Sequence, residues 1–196
     1  MIRVLGVVAA LGCAVVMSFA APTTGHATTV LKVSVEEMTR TADWVVRARV
    51  LGVTNVDLQA EGKGLFTDVE LAIDEVLRGK DVPSRYVLRL LGGVGKNRLA
   101  MDIPGMPRFV QGEEVVLFLE KTSVGHVPSG LGQGVWRVIR TPASIPLVLQ
   151  STEDMRLMKR APSGAIVEAP PAPALSAKLL GDLAREVRAV AALPTP

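Results

Sequence analysis

The strongest pattern in the chain is a run of five consecutive apolar residues, Val115 to Leu119. Most of its members are β-branched or aromatic, the residue types that strands favour. The run is too short for a buried helix, and glycine lies on both sides, at Gly112 and Gly125. It predicts a central strand that is buried on both faces and with which the other strands pair.

Alternation of apolar and polar residues predicts four further strands. One covers Trp44 to Leu51, with arginine at two positions of the face opposite its apolar side chains. The next has apolar residues at 69, 71 and 73, and its alternation slips at Asp74, as it does in a β-bulge. Two more lie at 86–91 and 135–140. Five short strands separated by turn residues indicate a small barrel or a sandwich.

Two helices are predicted at the ends of this strand-rich region. Ser34-Val-Glu-Glu37 fits a capping box, which predicts a short helix from Val35 to about Thr41. Leu180, Leu183 and Val187 recur at three- and four-residue spacing, which predicts a C-terminal amphipathic helix that Ser176 can cap.

The first twenty residues have the pattern of a secretory signal peptide, with a short cationic start, an apolar stretch and small residues at Ser18-Phe-Ala20. Cleavage as late as residue 27 fits as well. A retained membrane anchor is one alternative, and a leader lipidated at Cys13 is another. Because Cys13 is the only cysteine, the mature chain would have no disulfide, and its stability would come from a packed core.

The charge distribution argues against nucleic-acid binding. The formal net charge is only +3, basic and acidic residues alternate along the chain, and 4% of residues are aromatic. A nucleic-acid-binding surface needs a basic stripe with aromatic residues, so we expect no nucleic-acid partner.

Candidate catalytic and metal-binding residues are few and scattered. His26 and His126 are far apart and have no neighbouring cysteine, whereas a zinc site needs three or four ligands. We interpret His126 as a loop histidine that is solvated or hydrogen-bonded. Ser123 lies near it without an elbow motif, and Asp68 and Glu70 fit the solvated face of a strand. We expect no catalytic residue, no metal and no cofactor.

The segment from Gly92 to Phe109 is long and has no sustained period, and such loops are usually functional or mobile. Its apolar and basic residues predict a surface that contacts a partner, since methionine, aromatic residues and arginine are enriched at interfaces. The alternative is that its apolar residues pack onto the barrel. The predicted contact residues are Met101, Ile103, Met106, Arg98 and Arg108.

The order of these elements resembles that of a widespread group of uncharacterised exported bacterial proteins. It combines a short helix, Ala42-Asp-Trp-Val-Val46, a strand ending in Glu75-Val-Leu-Arg-Gly79, a strand ending in Gly92-Gly93, and the central strand. The pattern is similar to the OB-fold of tissue inhibitors of metalloproteinases and netrin-like domains. The resemblance covers residues 34–141. The cysteines of the animal inhibitors, including the zinc-chelating one, have no counterpart in the mature chain, so no inhibitory residue carries over.

The sequence therefore predicts an all-β fold, a five-stranded OB-like barrel with a short N-terminal and a C-terminal helix, with an open β-sandwich as the alternative. We expect an exported non-enzymatic binding module that contacts another protein, with a secreted protease as one candidate partner. A hydrolase or other enzyme and a structural cell-envelope component are the alternatives. The predicted divisions are a signal peptide at 1–20, the OB-like domain at 34–141, an irregular proline-rich linker with a hairpin at 142–174, and a helix at 175–193.

Overall fold

The computed structural model describes residues 28–152, 154–170 and 177–193. The described residues form thirteen strands and two α-helices, so the prediction of a mostly β fold is confirmed. The helices are α1 (Val35–Thr41) and α2 (Leu180–Ala191). The strands are β1 (Thr28–Leu31), β2 (Trp44–Asp57), β3 (Leu65–Arg78), β4 (Arg85–Leu91), β5 (Gly93–Val94), β6 (Ala100–Met101), β7 (Glu114–Thr122), β8 (Gly125–Pro128), β9 (Val135–Arg140), β10 (Pro146–Gln150), β11 (Met155–Arg160), β12 (Ile166–Glu168) and β13 (Lys178–Leu179).

One large sheet organises the described residues. Its strand order is β13-β10-β9-β7-β2-β3-β4, and β8 pairs with the second half of β7. Strands β1, β11 and β12 form a three-stranded sheet, and β5 and β6 form a two-stranded one. None of the sheets closes on itself, which fits the open β-sandwich alternative better than the predicted five-stranded barrel.

The central strand is β7, as the apolar run predicted. Each residue from Val115 to Leu119 is fully buried, and β7 pairs with β2 on one side and with β9 and β8 on the other. Alternate side chains enter two separate core clusters. On the helix side, Val116 and Phe118 pack with residues of α1 and α2; on the other face, which we call the loop side, Val115 and Leu117 pack with Phe109.

Helix α1 has the predicted bounds. The Ser34 hydroxyl accepts a hydrogen bond from the Glu37 amide at 3.1 Å, so the first half of the capping box is formed. Helix α2 is shorter than predicted, because residues 178–179 are extended and pair with β10. Ser176, its expected cap, and the predicted signal peptide lie outside the described residues. No helix in the described ranges is long and apolar enough to cross a membrane.

The long ribbon of β2 and β3 contains the predicted irregularity. Arg47 pairs with Glu75 and Ala48 with Ile73, so the register shifts at Asp74, and the β-bulge prediction is confirmed. Both strands are longer than the alternation indicated, so that only residues 58–64 connect them.

The region between residues 142 and 170 is more ordered than predicted. Strand β10, which was not predicted, joins the main sheet, and β11 and β12 form the predicted hairpin. Strand β1 pairs in parallel with β11. The buried Gln133 side chain forms hydrogen bonds with the backbone at the end of β1. Its Oε1 accepts from the Val33 amide and its Nε2 donates to the Leu31 carbonyl, both at 3.0 Å.

A side chain occupies the seam at which a barrel would close. The Ser129 amide donates to the Phe118 carbonyl, and hydrogen-bonded pairs alternate along an antiparallel ladder, so the amide of His126 points away from β7. It donates to the Tyr86 hydroxyl at 3.3 Å instead of to a β4 carbonyl. Strands β4 and β8 are therefore joined through a phenol, and the closed-barrel prediction is wrong for this reason.

Candidate functional site

The segment from Gly92 to Phe109, predicted to be irregular, begins with a small hairpin. Strands β5 and β6 pair, with Gly93 opposite Met101. Two side chains of β2 hold the hairpin: the Asn55 amide oxygen accepts from the Val94 amide, and an Asp57 carboxylate oxygen accepts from the Lys96 amide, both at 2.9 Å. The hairpin is thereby fixed to the end of the long ribbon.

Glycine is required where this hairpin leaves β4. Gly92 has φ +103° and Gly93 has φ +151°, values that other residues rarely adopt. A Cβ atom at Gly92 would lie 2.9 Å from the Met101 carbonyl oxygen, and one at Gly93 would lie 2.7 Å from the Phe66 carbonyl oxygen. The two glycines let the chain turn tightly against β3 and β6.

A groove of about 390 Å³ lies between the hairpin, the following loop and the loop side of the main sheet. Asn55, Thr67 and Leu90 are cross-strand neighbours in β2, β3 and β4, so their side chains share one face and form the floor. The remaining lining residues are Val53, Leu91, Gly92, Gly93, Val94, Ala100, Met101, Asp102, Ile103, Met106, Pro107, Arg108 and Phe109. Most of these side chains are apolar.

Four of the five predicted contact residues line this groove. Met101 is 39% exposed, Ile103 and Met106 are half-buried, and Arg108 is exposed. Met106 also packs against the loop-side core, so the packing alternative holds for this residue. Arg98 lies in the hairpin turn at φ +64°, outside the lining of the groove.

The outer wall of the groove is held by ion pairs and by Arg137. An Arg108 nitrogen lies 3.0 Å from both carboxylate oxygens of Asp102. The Arg137 guanidinium donates to the Arg108 carbonyl and to the Ser151 hydroxyl and contacts Glu113 at 3.3 Å. Glu113, which directly precedes the central strand, in turn accepts a hydrogen bond from the amide of residue 110 at 2.9 Å. The loop is thus fixed at both ends.

An aromatic cluster fills the seam between β4 and β8. The His126 ring stacks on Trp44 with centroids 3.8 Å apart, and the Tyr86 hydroxyl lies 3.2 Å from His126 Nδ1. Burial lowers the pKa of His126, while Asp43 opposes this effect and Lys121 adds to it. The predicted loop position of His126 is wrong, since the residue lies on β8 and is half-buried, whereas the prediction that its ring is solvated or hydrogen-bonded is confirmed by the contact with Tyr86.

The candidate acid–base residues do not converge. Of six polar side chains that could take part in acid–base or nucleophilic chemistry, only Asp102 lines the groove. Asp68 pairs with Arg89 at 2.6 Å and Glu70 with Arg85 at 3.5 Å, both on the face opposite the loop side. The described ranges contain no group of three His, Cys, Asp or Glu residues placed to hold a metal ion. The six residues are Asp68, Glu70, Asp102, Glu113, Ser123 and His126.

Sequence reasoning missed the floor of the groove. Val53, Asn55 and Thr67 lie between the strand predicted at 44–51 and the apolar positions 69, 71 and 73 of the next one, and nothing local indicates that they face the loop. The only signal is that Val53 is an apolar residue in a polar stretch.

No protein-family model, no curated protein and no solved structure matches this chain. We therefore base the functional assignment on the groove and its surroundings.

Proposed function

We propose that this chain is an exported, non-enzymatic binding module that contacts another protein through the groove beside the β5–β6 hairpin. One observation carries this proposal. The groove is mostly apolar, it is open to solvent, and its rim combines the exposed Met101 with the exposed Arg108. Interfaces are enriched in methionine and arginine, and a flexible thioether adapts to the partner's shape.

The fixed frame of the groove supports the same function. Asn55 and Asp57 hold the hairpin on one side, and Arg137 holds the loop on the other. A preformed surface loses less conformational entropy on binding than a mobile loop would, so more of the contact energy remains as affinity. The dispersal of the acid–base candidates also favours binding over hydrolysis.

The class of partner rests on the resemblance. The elements α1, β2, β3, β4 and β7 occur in the order from which the resemblance to netrin-like OB-folds was drawn. A secreted protease is our candidate partner on this ground. Because the mature chain has no cysteine for a protease zinc, contact would be made by apolar and basic side chains of the groove.

The test is capture of partner proteins from the exported fraction by the secreted chain and by two variants, each of which replaces one exposed apolar side chain with serine. Intact mass should first show a mature chain that starts at Ala21 or Thr28. Met101→Ser should reduce capture of a specific protein while the melting temperature changes little, because Met101 is 39% exposed and belongs to neither core cluster. Val124→Ser is the matched control, since Val124 is 85% exposed and lies in the β7–β8 turn.

Equal capture by the wild-type chain and both variants would contradict the proposal. So would a loss of capture that only follows a loss of folded protein.

A further inference from the structure

One edge of strand β4 is not paired with another strand in the described part of the chain. The Gly92 amide donates to the Leu65 carbonyl, and the Ile73 amide donates to the Ser84 carbonyl. The register between β3 and β4 has no shift, so the even-numbered residues of β4 form its hydrogen-bonded pairs with β3. The N–H and C=O groups of Val87, Arg89 and Leu91 therefore point away from β3.

The two halves of this edge have different surroundings. Near Tyr86 the edge faces β8, where the phenol and His126 fill the seam. Further along, Leu90 and Leu91 both line the groove, so the groove adjoins the edge at Arg89 and Leu91. Free backbone groups and an apolar groove thus lie side by side.

We propose that the partner is held as an extended segment that adds to the β4 edge at Arg89 and Leu91 and places alternate apolar side chains in the groove. Strand addition uses main-chain hydrogen bonds for affinity and pockets for alternate side chains for specificity. This inference rests on the proposed function and names the chemistry of its partner.

The charges on β4 indicate the chemistry of those side chains of the added segment that do not enter the groove. Side chains of an added strand that point away from the groove would lie beside Arg89, which is 47% exposed although it pairs with Asp68. Arg85 lies on the same face of β4 and is 74% exposed, with one guanidinium nitrogen 3.5 Å from Glu70. The matching segment alternates apolar and acidic residues.

The probe is a fluorescein-labelled octapeptide, Glu-Leu-Glu-Val-Glu-Leu-Glu-Val, titrated with the mature chain and followed by anisotropy. Two control peptides carry N-methyl groups on all glutamates or on all apolar residues. In an antiparallel complex, the peptide residues whose backbone bonds β4 are those whose side chains face away from the groove, so N-methylation of the glutamates should weaken binding. In a parallel complex, the bonding residues are those whose side chains enter the groove, so N-methylation of the apolar residues should weaken binding. One of the two should lose at least about tenfold in affinity.

Proline variants test the protein side of the same bonds. Leu91→Pro removes an N–H group on the free edge and leaves the hydrogen bonds between β3 and β4 in place. Edge strands tolerate proline at such positions. This variant should weaken probe binding at least about tenfold, whereas the matched Val87→Pro, which faces the seam, should change it by less than about twofold. The probe should also slow hydrogen exchange of the Arg89 and Leu91 amides, a readout that needs no folded variant.

Absence of probe binding, equal binding of both methylated peptides, or unchanged exchange at Arg89 and Leu91 would overturn strand addition. Concentration-dependent protection of these amides without probe would show that a second copy holds the edge, which also overturns it. If partner capture still depends on Met101 in any of these cases, the proposed function survives and only the strand-addition inference fails.

Discussion

Phe118 shows at the scale of one residue why the central strand governs this fold. Its side chain is fully buried on the helix side and packs in a cluster with Met38, Trp136 and Leu183. Those three residues come from α1, β9 and α2, so one aromatic ring contacts elements from both ends of the chain. Removing it should affect the whole molecule.

Phe118→Ala should lower the free energy of unfolding by about 3–5 kcal/mol, because the transfer energy of the ring is lost and a cavity remains. Urea denaturation measures the change. Val124→Ala is the control, since a residue that is 85% exposed should change stability by less than about 0.5 kcal/mol. A loss below about 1 kcal/mol for Phe118→Ala would show that the ring is not packed as described.

The hairpin of β5 and β6 shows at the scale of an element how distant residues shape the groove. Its two strands have two residues each, too few for any period to appear in the sequence. The side chains that hold it, Asn55 and Asp57, are 39 residues away from their partners. The pKa of Asp57 is lowered, first by the Lys96 amide and then by the Gln59 amide, because both donate to its ionised form.

Asp57→Ala should release the hairpin turn without unfolding the sheet. We expect hydrogen exchange of the Lys96 amide to become about tenfold faster, while exchange of the β7 amides stays unchanged. Glu61→Ala is the matched control, because Glu61 lies in the connection that follows Asp57 and pairs only with Lys63 among the described residues. Equal exchange at Lys96 in both variants would show that the carboxylate does not hold the turn.

Strong local patterns predicted some elements well. The capping box at Ser34 gave the bounds of α1, and the five-residue apolar run gave a central strand buried on both faces. The bulge at Asp74 was visible as a slip in alternation. Each of these features depends on residues that are neighbours in sequence, so the sequence carries the whole signal.

Features that depend on pairing could not be predicted in this way. The composition of the Gly92–Phe109 segment pointed to Met101, Ile103, Met106 and Arg108, and these do line one groove. Its floor, however, comes from β2, β3 and β4, and which of their faces meets the loop is fixed by strand register. Strands β4 and β8 likewise do not pair because the Tyr86 hydroxyl accepts the hydrogen bond of the His126 amide. The alternation of apolar and polar residues does not reveal this contact.

At the scale of the whole molecule, the two faces of the main sheet are stabilised differently. The helix side is covered by α1 and α2, and a chain of ion pairs continues from α2 across the sheet. Arg188 pairs with Glu75, Glu75 with Arg47, Arg47 with Glu114, and Glu114 with Arg140. The loop side has no helix over it within the described residues, and there the aromatic seam joins the last strand of the sheet to β8.

The seam should make the stability of the molecule depend on pH. Burial lowers the pKa of His126 below its ordinary value of 6.5, and Asp43 only partly opposes this effect. The unfolded chain therefore takes up a proton at a higher pH than the folded chain does. Stability is fully present above about pH 6.5 and falls as the pH decreases from there to the lowered pKa of the folded state.

Urea denaturation at about pH 7.5 and about pH 5.5 tests this expectation, because carboxylates are still mostly ionised over that interval. The free energy of unfolding of the wild-type chain should be lower at the more acidic pH. His126→Gln keeps a side chain that can hydrogen-bond Tyr86 and cannot titrate, so its stability should change much less between the two values. An equal dependence on pH in the variant would show that another group is responsible, and stability that rises on acidification would show that the protonated ring is favoured against Trp44. The first result would remove His126 as the group that couples protonation to stability, and the second would contradict the lowered pKa while keeping His126 in that role.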